Sequence, residues 1–474
     1  MKTALILLWI TLVAVPCFAE TPSVSTMADQ ASVNLTVYNM GRGLVKDVRS
    51  LIIPSGQGEL RFMDVASQIM PQTVHVKSLT ATDKFRVLEQ NYEYDLISRA
   101  KLLDKYVGQK IKLSSWNQDQ DKQSFFDATL ISNNQGEVYD INGEIYLGHP
   151  GYAVLPSLPE NLIAKPTLTW LFDNAEPASQ DVEVSYMTNG VTWTADYVLV
   201  VNKDDSAGDL AGWVTVDNQS GATYKEAQLK LVAGKPNVVQ DHVRGRNKGM
   251  MQEMMMTDTA GAQFQEESFF EYHLYDLQRK TTIKDKQTKQ ISLLEAVDIP
   301  LNKTYTVGDN DSGYYWQENT ATRKIPVKVG VSFKNSEVDH LGMPLPSGTV
   351  RLYKQDKKGG QQFIGEDRIE HTPKDETVKL DVGEAFDVVA EKKQTAFSRT
   401  SNRTTETAWE ITLRNHKDED IVVTVEQLFY GMTDWEVLTN SMEYKKKDAQ
   451  TLAFEVPVPK NGEAVVSYTV QVTN

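Results

Sequence analysis

The stretch Asp181-Val-Glu-Val-Ser-Tyr186 sets Val182, Val184 and Tyr186 on one side of an extended chain and Asp181, Glu183 and Ser185 on the other. A half-buried β-strand produces this period of two, because successive side chains of a pleated strand point to opposite faces. The alternation resumes at Val191, Trp193, Ala195, Tyr197 and Leu199, recurs at Trp409, Ile411 and Leu413, and returns at Val466, Tyr468, Val470 and Val472. Turn-forming clusters separate such runs: Ser55-Gly-Gln-Gly58, Asn133-Asn-Gln-Gly136, Lys203-Asp-Asp-Ser-Ala-Gly208, Asn218-Gln-Ser-Gly221 and Lys357-Lys-Gly-Gly360. Gly, Asn, Asp and Ser supply the backbone freedom and local hydrogen bonds that tight turns need. Short strands with regular turns predict a mainly β protein, a multi-domain assembly of β-sandwiches and small barrels.

One helix interrupts the strands. Ser98 is an N-cap residue, Ala100, Leu102, Leu103, Tyr106 and Val107 form an apolar stripe, and Gly108 supplies the stop, so a short helix is predicted near 98–107. The short apolar runs that follow from Lys110 to Pro156 suit a small SH3-like barrel. The expected organisation is a signal peptide over 1–19, an N-terminal β domain over 20–97 and the helix with its small barrel over 98–165. A β domain over 166–390 follows, carrying a flexible Met-rich insertion at 240–267, and a C-terminal sandwich portion occupies 391–474. A second polar stretch, Lys392 to Thr407, is expected to link or turn between the last strand groups.

Composition narrows the function. The 474 residues are 40% apolar, enough for several packed cores, and carry a formal charge of −15. With a sequence pI near 5.1, nucleic acid is an unsuitable partner, because the phosphate backbone is bound through neutralisation by Lys and Arg. The longest cationic run, Lys445-Lys446-Lys447, lies between Glu443 and Asp448 and reads as a strand edge or turn.

The first nineteen residues differ from the rest. Lys2 is followed by an almost continuously apolar run from Ala4 to Val15, and Cys17-Phe-Ala19 ends in a small residue before Glu20, the pattern of a cleaved secretory signal. Pro16, directly before Cys17, does not fit a lipoprotein signal, which wants a small residue there. Cleavage after Ala19 leaves 455 residues, moves the charge to −16 with the loss of Lys2, and removes the single cysteine. Disulfides, thiolate metal sites and cysteine nucleophiles are then excluded. No later stretch reaches about 18 consecutive apolar residues, so no transmembrane segment is expected in the mature chain. An outer-membrane barrel is disfavoured because segments such as Thr349-Val-Arg-Leu-Tyr-Lys354 are short and charged. The expected location is the periplasm or outside the cell, in soluble form.

Catalytic motifs are sparse. No G-x-S-x-G, P-loop, G-x-G-x-x-G or H-E-x-x-H pattern occurs, and the seven histidines are scattered. Ser98-Arg-Ala-Lys101 matches S-x-x-K, but Ser98 already serves as a helix cap. Met250, Met251, Met254, Met255 and Met256 offer soft thioethers to Cu(I), or else an adaptable apolar contact loop, and the second is the plainer reading. Asp309-Asn-Asp-Ser-Gly313 resembles the opening of a calcium loop, yet Gly313 comes one residue early and Thr320 stands where the closing Glu belongs. Tyr314, Tyr315 and Trp316 could stack on sugar rings, or be core residues of the next strand. No cofactor is expected.

Several segments carry a family resemblance: Val37-Tyr-Asn39, Val87-Leu-Glu-Gln-Asn-Tyr-Glu-Tyr-Asp95, Lys105-Tyr-Val-Gly108, Leu158-Pro-Glu160, Tyr186-Met-Thr-Asn-Gly-Val-Thr-Trp-Thr-Ala-Asp-Tyr197 and Gly212-Trp-Val-Thr-Val-Asp-Asn218. Leu341-Gly-Met-Pro-Leu-Pro346, Gly365-Glu-Asp367, Gly383-Glu-Ala-Phe-Asp387 and Asp434-Trp435 extend it. Together they resemble the bacterial domain-of-unknown-function family 4139, which is similar to the C-terminal part of mucoidy-inhibitor-A-like proteins. Those proteins carry a coiled-coil portion, and no heptad run of that length occurs here. The resemblance implies an exported β-rich protein and brings no catalytic residues; Trp193, Tyr197 and Trp213, on alternating strand positions, read as core. Two functions fit: a non-enzymatic envelope protein presenting loops to a protein or glycan, or a hydrolase or metal-dependent enzyme whose site is assembled from distant strands.

Overall fold

The computed structural model describes residues 22–473 apart from 118–120, 150, 160–161, 177, 235, 238–262, 310–315, 318–321 and 433. The expected signal peptide at 1–19 and most of the 240–267 insertion lie outside the described residues. So do Met250, Met251, Met254, Met255, Met256, Tyr314 and Tyr315.

The period-two runs are strands, and their apolar sides are buried. In strand Ala178–Asn189, Val182 and Val184 are fully buried and Tyr186 nearly so. This strand runs antiparallel to Arg42–Ile53, which in turn pairs with Gln30–Tyr38. Gln30–Tyr38 lies parallel to Tyr224–Ala233, and the hairpin Phe264–Phe269 with Tyr272–Leu277 extends the sheet to eight strands. A five-stranded sheet contains Val191–Val201 at its centre, flanked by Ala207–Asn218 and Gly348–Gln355. A four-stranded sheet holds Gly56–Met63 and Thr167–Asn174. One continuous apolar core joins all three: Leu35 and Val45 from the first, Trp193 and Tyr197 from the second, Phe62 and Trp170 from the third. Burying such side chains stabilises by roughly 1.5–3 kcal/mol each.

Farther along the chain, a six-stranded sheet around Ile421–Leu428 and a five-stranded sheet around Thr404–Asn415 enclose a second core. Trp409, Ile411 and Leu413 face Val423, Val425 and Phe454 there. The polar stretch 392–407, expected to link or turn between strand groups, holds a turn at 400–403 but is mostly paired strand: Val388–Arg399 and Thr404–Asn415 form a hairpin around that turn. Its inward polar side chains explain the misreading. Lys392 is buried and donates from Nζ to Gln427 Oε1 at 2.7 Å, with the ammonium 3.9 Å from the Trp409 ring centroid.

A small module is inserted between two neighbouring strands. Phe85–Glu93 and Thr167–Asn174 pair antiparallel, and the chain between them forms helix Arg99–Lys105 and a separate five-stranded sheet. Leu103, Tyr106, Leu113, Leu130 and Tyr139 make its own core. The sheet runs in the order Glu144–Leu147, Val138–Ile141, Lys122–Ser132, Lys110–Asn117, Tyr152–Val154. Its outermost strands do not pair with one another, so it is an open sheet and no closed barrel occurs among the described residues. At the neck, Ile163 donates to Asp95 O at 3.1 Å and accepts from Ile97 N at 3.0 Å.

Two structural reasons for the sequence pattern stand out. Tyr197 and Tyr275 are buried and donate their hydroxyls to the carbonyls of Pro346 and Pro344, at 2.8 and 2.9 Å. Trp213 corrects its expected core position: it lies on the outer face, 39% exposed, opposite Asp196 in the adjacent strand. The inward place across from Tyr197 belongs to Gly212, where a Cβ would stand 3.2 Å from the tyrosine ring.

Candidate binding face

The inserted sheet has two unlike faces. Ile111, Leu113, Ala128 and Leu130 point inward to the module core, so the alternate residues of the same strands point outward. Register then assembles the outer face. Tyr152 pairs with Ser114, and Ser114 pairs with Phe125 on its other side, making one row across three strands. Trp116, two residues beyond Ser114, pairs with Gln123 in the next row. Val154, Lys112 and Asp127 form the row on the opposite side.

Aromatic rings at one end of this face are open to solvent. Tyr152 is 80% exposed, Trp116 60% and Phe125 55%. Strand geometry puts the Tyr152 and Phe125 backbones about 9.6 Å apart, with Trp116 about 6.8 Å along the central strand from Ser114. Ser114 is buried between the two rings, and its Oγ accepts from Gln123 Nε2 at 2.6 Å. A Cβ at Gly151 would stand 2.2 Å from the Ser114 carbonyl oxygen, so glycine lets the chain enter strand Tyr152–Val154 this closely. On the inner side, burial, with Glu137 beside it, pushes the Tyr139 hydroxyl up to about 12.

Other candidate chemistry is accounted for locally. Ser98 Oγ accepts from Lys101 N at 3.2 Å as a helix cap, and Lys101 Nζ pairs with Asp95. Ser347 and His371 approach each other, but in the wrong sense for a nucleophile. Ser347 N donates to His371 Nδ1 at 3.1 Å, so a neutral ring carries its proton on Nε2, the nitrogen 3.4 Å from Ser347 Oγ. A general base needs that nitrogen free to accept. Among the described residues no group of three His, Cys, Asp or Glu is arranged to hold a metal ion. A cavity of about 370 Å³ lies between Asp64, Lys165, Thr223 and Lys225, but Lys165 already neutralises Asp64.

Of the expected stacking residues, Trp316 is described. It is half-exposed, and its carbonyl accepts from Gln394 Nε2 at 3.1 Å. Calcium-loop residues 310–313 lie outside the described residues, beyond strand Asn302–Asp309. Lys445-Lys446-Lys447 sits at a strand edge, with Lys445 on Glu455, Lys447 on Glu426 and Lys446 4.1 Å from the Trp435 ring centroid. Sequence reasoning missed Trp116, Phe125 and Tyr152. The available signal was Trp116 and Phe125, each three residues from the buried Leu113 or Ala128 of its own strand and so out of step with the inward side.

The architecture defines a class: a mainly β protein of packed sheets with an inserted, aromatic-faced small sheet and, among the described residues, no helix able to span a membrane. Residues 182–474 match the family described as Domain of unknown function (DUF4139), and the chain belongs to that family. No curated protein matches the chain. The family segment starts inside strand Ala178–Asn189, so the aromatic face lies wholly before it.

Proposed function

We propose that this is an exported, non-enzymatic binding protein of the cell envelope whose recognition face is the outer face of the inserted sheet. The observation that carries the reading is the open cluster of Tyr152, Trp116 and Phe125 on a module with its own core. Clustered exposed aromatics mark interaction sites, since a protein without a partner gains nothing from leaving such rings in water. The leader at 1–19, with Ala19 before Glu20, supports export. The segments Trp193–Tyr197 and Pro344–Pro346 support kinship with the C-terminal part of mucoidy-inhibitor-A-like proteins.

Two measurements test the reading. N-terminal sequencing of the secreted or periplasmic product should begin at Glu20. Purified protein should co-sediment with isolated cell envelopes, and the triple variant W116A/F125A/Y152A should remain in the supernatant. Equal sedimentation of the two proteins overturns the assigned face.

A further inference from the structure

We infer that the occupant of the aromatic face is an uncharged glycan chain; this rests on the binding reading above and names its ligand class. Three features of the face select that chemistry.

The rings alternate with polar groups in place of a continuous apolar surface. Exposed Gln123 stands beside Trp116, its amide steadied by the buried Ser114 Oγ at 2.6 Å, so the polar group that the face presents between its rings is an amide. Sugar rings present the matching surface, with C–H faces that stack on aromatics and hydroxyls that reach an amide between them. A protein-like apolar patch would be contiguous instead.

Separation is the second feature. Tyr152 and Phe125 stand two strand spacings apart, about 9.6 Å, so one compact apolar group cannot lie on both rings. An extended chain crossing the strands can place one unit on each, and Trp116 beside that line offers a third contact.

Charge is the third. Lys110 and Lys112 share the outer face with Asp127 and Asp140, and the four charges cancel. A single-stranded nucleic acid also stacks on aromatics, but it requires a basic groove that tracks its backbone. An acidic polysaccharide would need the same excess of cations. A neutral pyranose chain needs neither.

The test is affinity electrophoresis of the full chain through native gels containing hydroxyethyl cellulose, xylan, dextran or soluble starch. Retardation by at least one of these is expected, with each single alanine at Trp116, Phe125 or Tyr152 weakening it roughly three- to tenfold. The triple variant should migrate as in a gel without polysaccharide. Tyr152→Phe, which keeps the stacking ring, should retain most of the retardation. Circular dichroism and thermal melting of each variant should match the parent, since these side chains contribute nothing to the module core.

Migration unaffected by all four polysaccharides overturns the glycan assignment, as does retardation that the triple variant preserves. If envelope sedimentation still depends on the three aromatics while no polysaccharide retards the protein, the binding reading stands and the glycan falls. Should size-exclusion chromatography show a dimer that the triple variant dissociates, the occupant is a second copy and the glycan assignment is again overturned. Stronger retardation in gels containing single-stranded DNA than in any neutral polysaccharide would also reject it.

Discussion

The ammonium of Lys303 lies 2.7 Å from a carboxylate oxygen of Asp205. The other oxygen of Asp205 takes Lys354, so one carboxylate fastens the start of strand Asn302–Asp309 to a hairpin turn and to strand Gly348–Gln355. Asp205 itself has φ +59, a conformation Asp tolerates better than most residues. Its carboxyl is raised by burial, but the bonds from Lys303 and Lys354 outweigh this and hold it below its ordinary value. Burial lowers Lys303, and the bond to Asp205 outweighs that and helps hold it above its ordinary value.

Replacing Asp205 with Asn should therefore destabilise the protein by about 1 kcal/mol near neutral pH. A carboxylate held low contributes fully above the ordinary value of about 3.9 and stops contributing as pH falls through its lower folded value. A lysine held high contributes below about 10.4 and stops as pH rises through its higher folded value. Urea midpoints of the parent and D205N should be separated across neutral pH and converge at both extremes. A gap that persists undiminished in strong acid would contradict this.

Arg49 is the larger electrostatic risk. It is fully buried, donates to Asp47 Oδ2 from Nε at 3.1 Å and from a terminal nitrogen at 2.9 Å, and also reaches Ser25 Oγ and Met63 O. The guanidinium carbon lies 3.5 Å from the centroid of the Phe62 ring. Arg49→Met strands a buried carboxylate and should cost about 3–5 kcal/mol. Arg49→Lys should recover only part of this, because an ammonium cannot make the same forked contacts. Adding Asp47→Leu to Arg49→Met should restore stability relative to the single variant, as read by urea unfolding.

A fragment of residues 182–474, the span that matches the family, should fail to build the first large core while keeping the second. Strands Gln30–Tyr38 and Arg42–Ile53 lie in the interior of the eight-stranded sheet, between Tyr224–Ala233 and Ala178–Asn189. Without them both neighbours expose unpaired backbone, and the partners of Trp193 and Tyr197 in the core are lost. Poorly dispersed amide proton signals are expected from residues 182–301, beside dispersed signals from the second core; a fragment with the full chain's complete set of dispersed signals from 182–301 would refute the dependence.

Excising residues 94–166 and joining Glu93 to Thr167 with Asn-Gly should, by contrast, leave both large cores intact. Glu93 and Thr167 are already paired at the ends of antiparallel neighbouring strands, so a two-residue turn can join them. The shortened protein should melt within a few degrees of the parent and lose envelope sedimentation. Loss of cooperative melting would show that the module contributes to the main fold.

Much of this was legible in the residues. Val182, Val184, Tyr186 and the Trp409 series announced their strands because an apolar core writes a period of two into the chain. The hairpin over 388–415 was harder, since Lys392, Gln394, Thr405 and Thr407 turn inward and look like solvent-facing residues. Trp213 failed for the opposite reason: its alternating strand position was read as the core side, while its register, opposite Asp196, put it outside. The aromatic face was invisible as a unit because Trp116, Phe125 and Tyr152 come from three strands whose alignment is a tertiary fact. Barrel closure was equally out of reach, as it depends on whether two distant edges bond.

The neck at Asp95, Ile97 and Ile163 has a mechanical consequence. Both chain ends of the module leave it side by side, so a load on the aromatic face is delivered across the paired strands and not along them. Their hydrogen bonds are then pulled one after another, like a zip, starting with the Asp95–Ile163 and Ile97–Ile163 bonds. Under tension the module yields first at its base, and only then is load passed to strands Phe85–Glu93 and Thr167–Asn174, whose Phe85, Trp170 and Phe172 are anchored in the first large core.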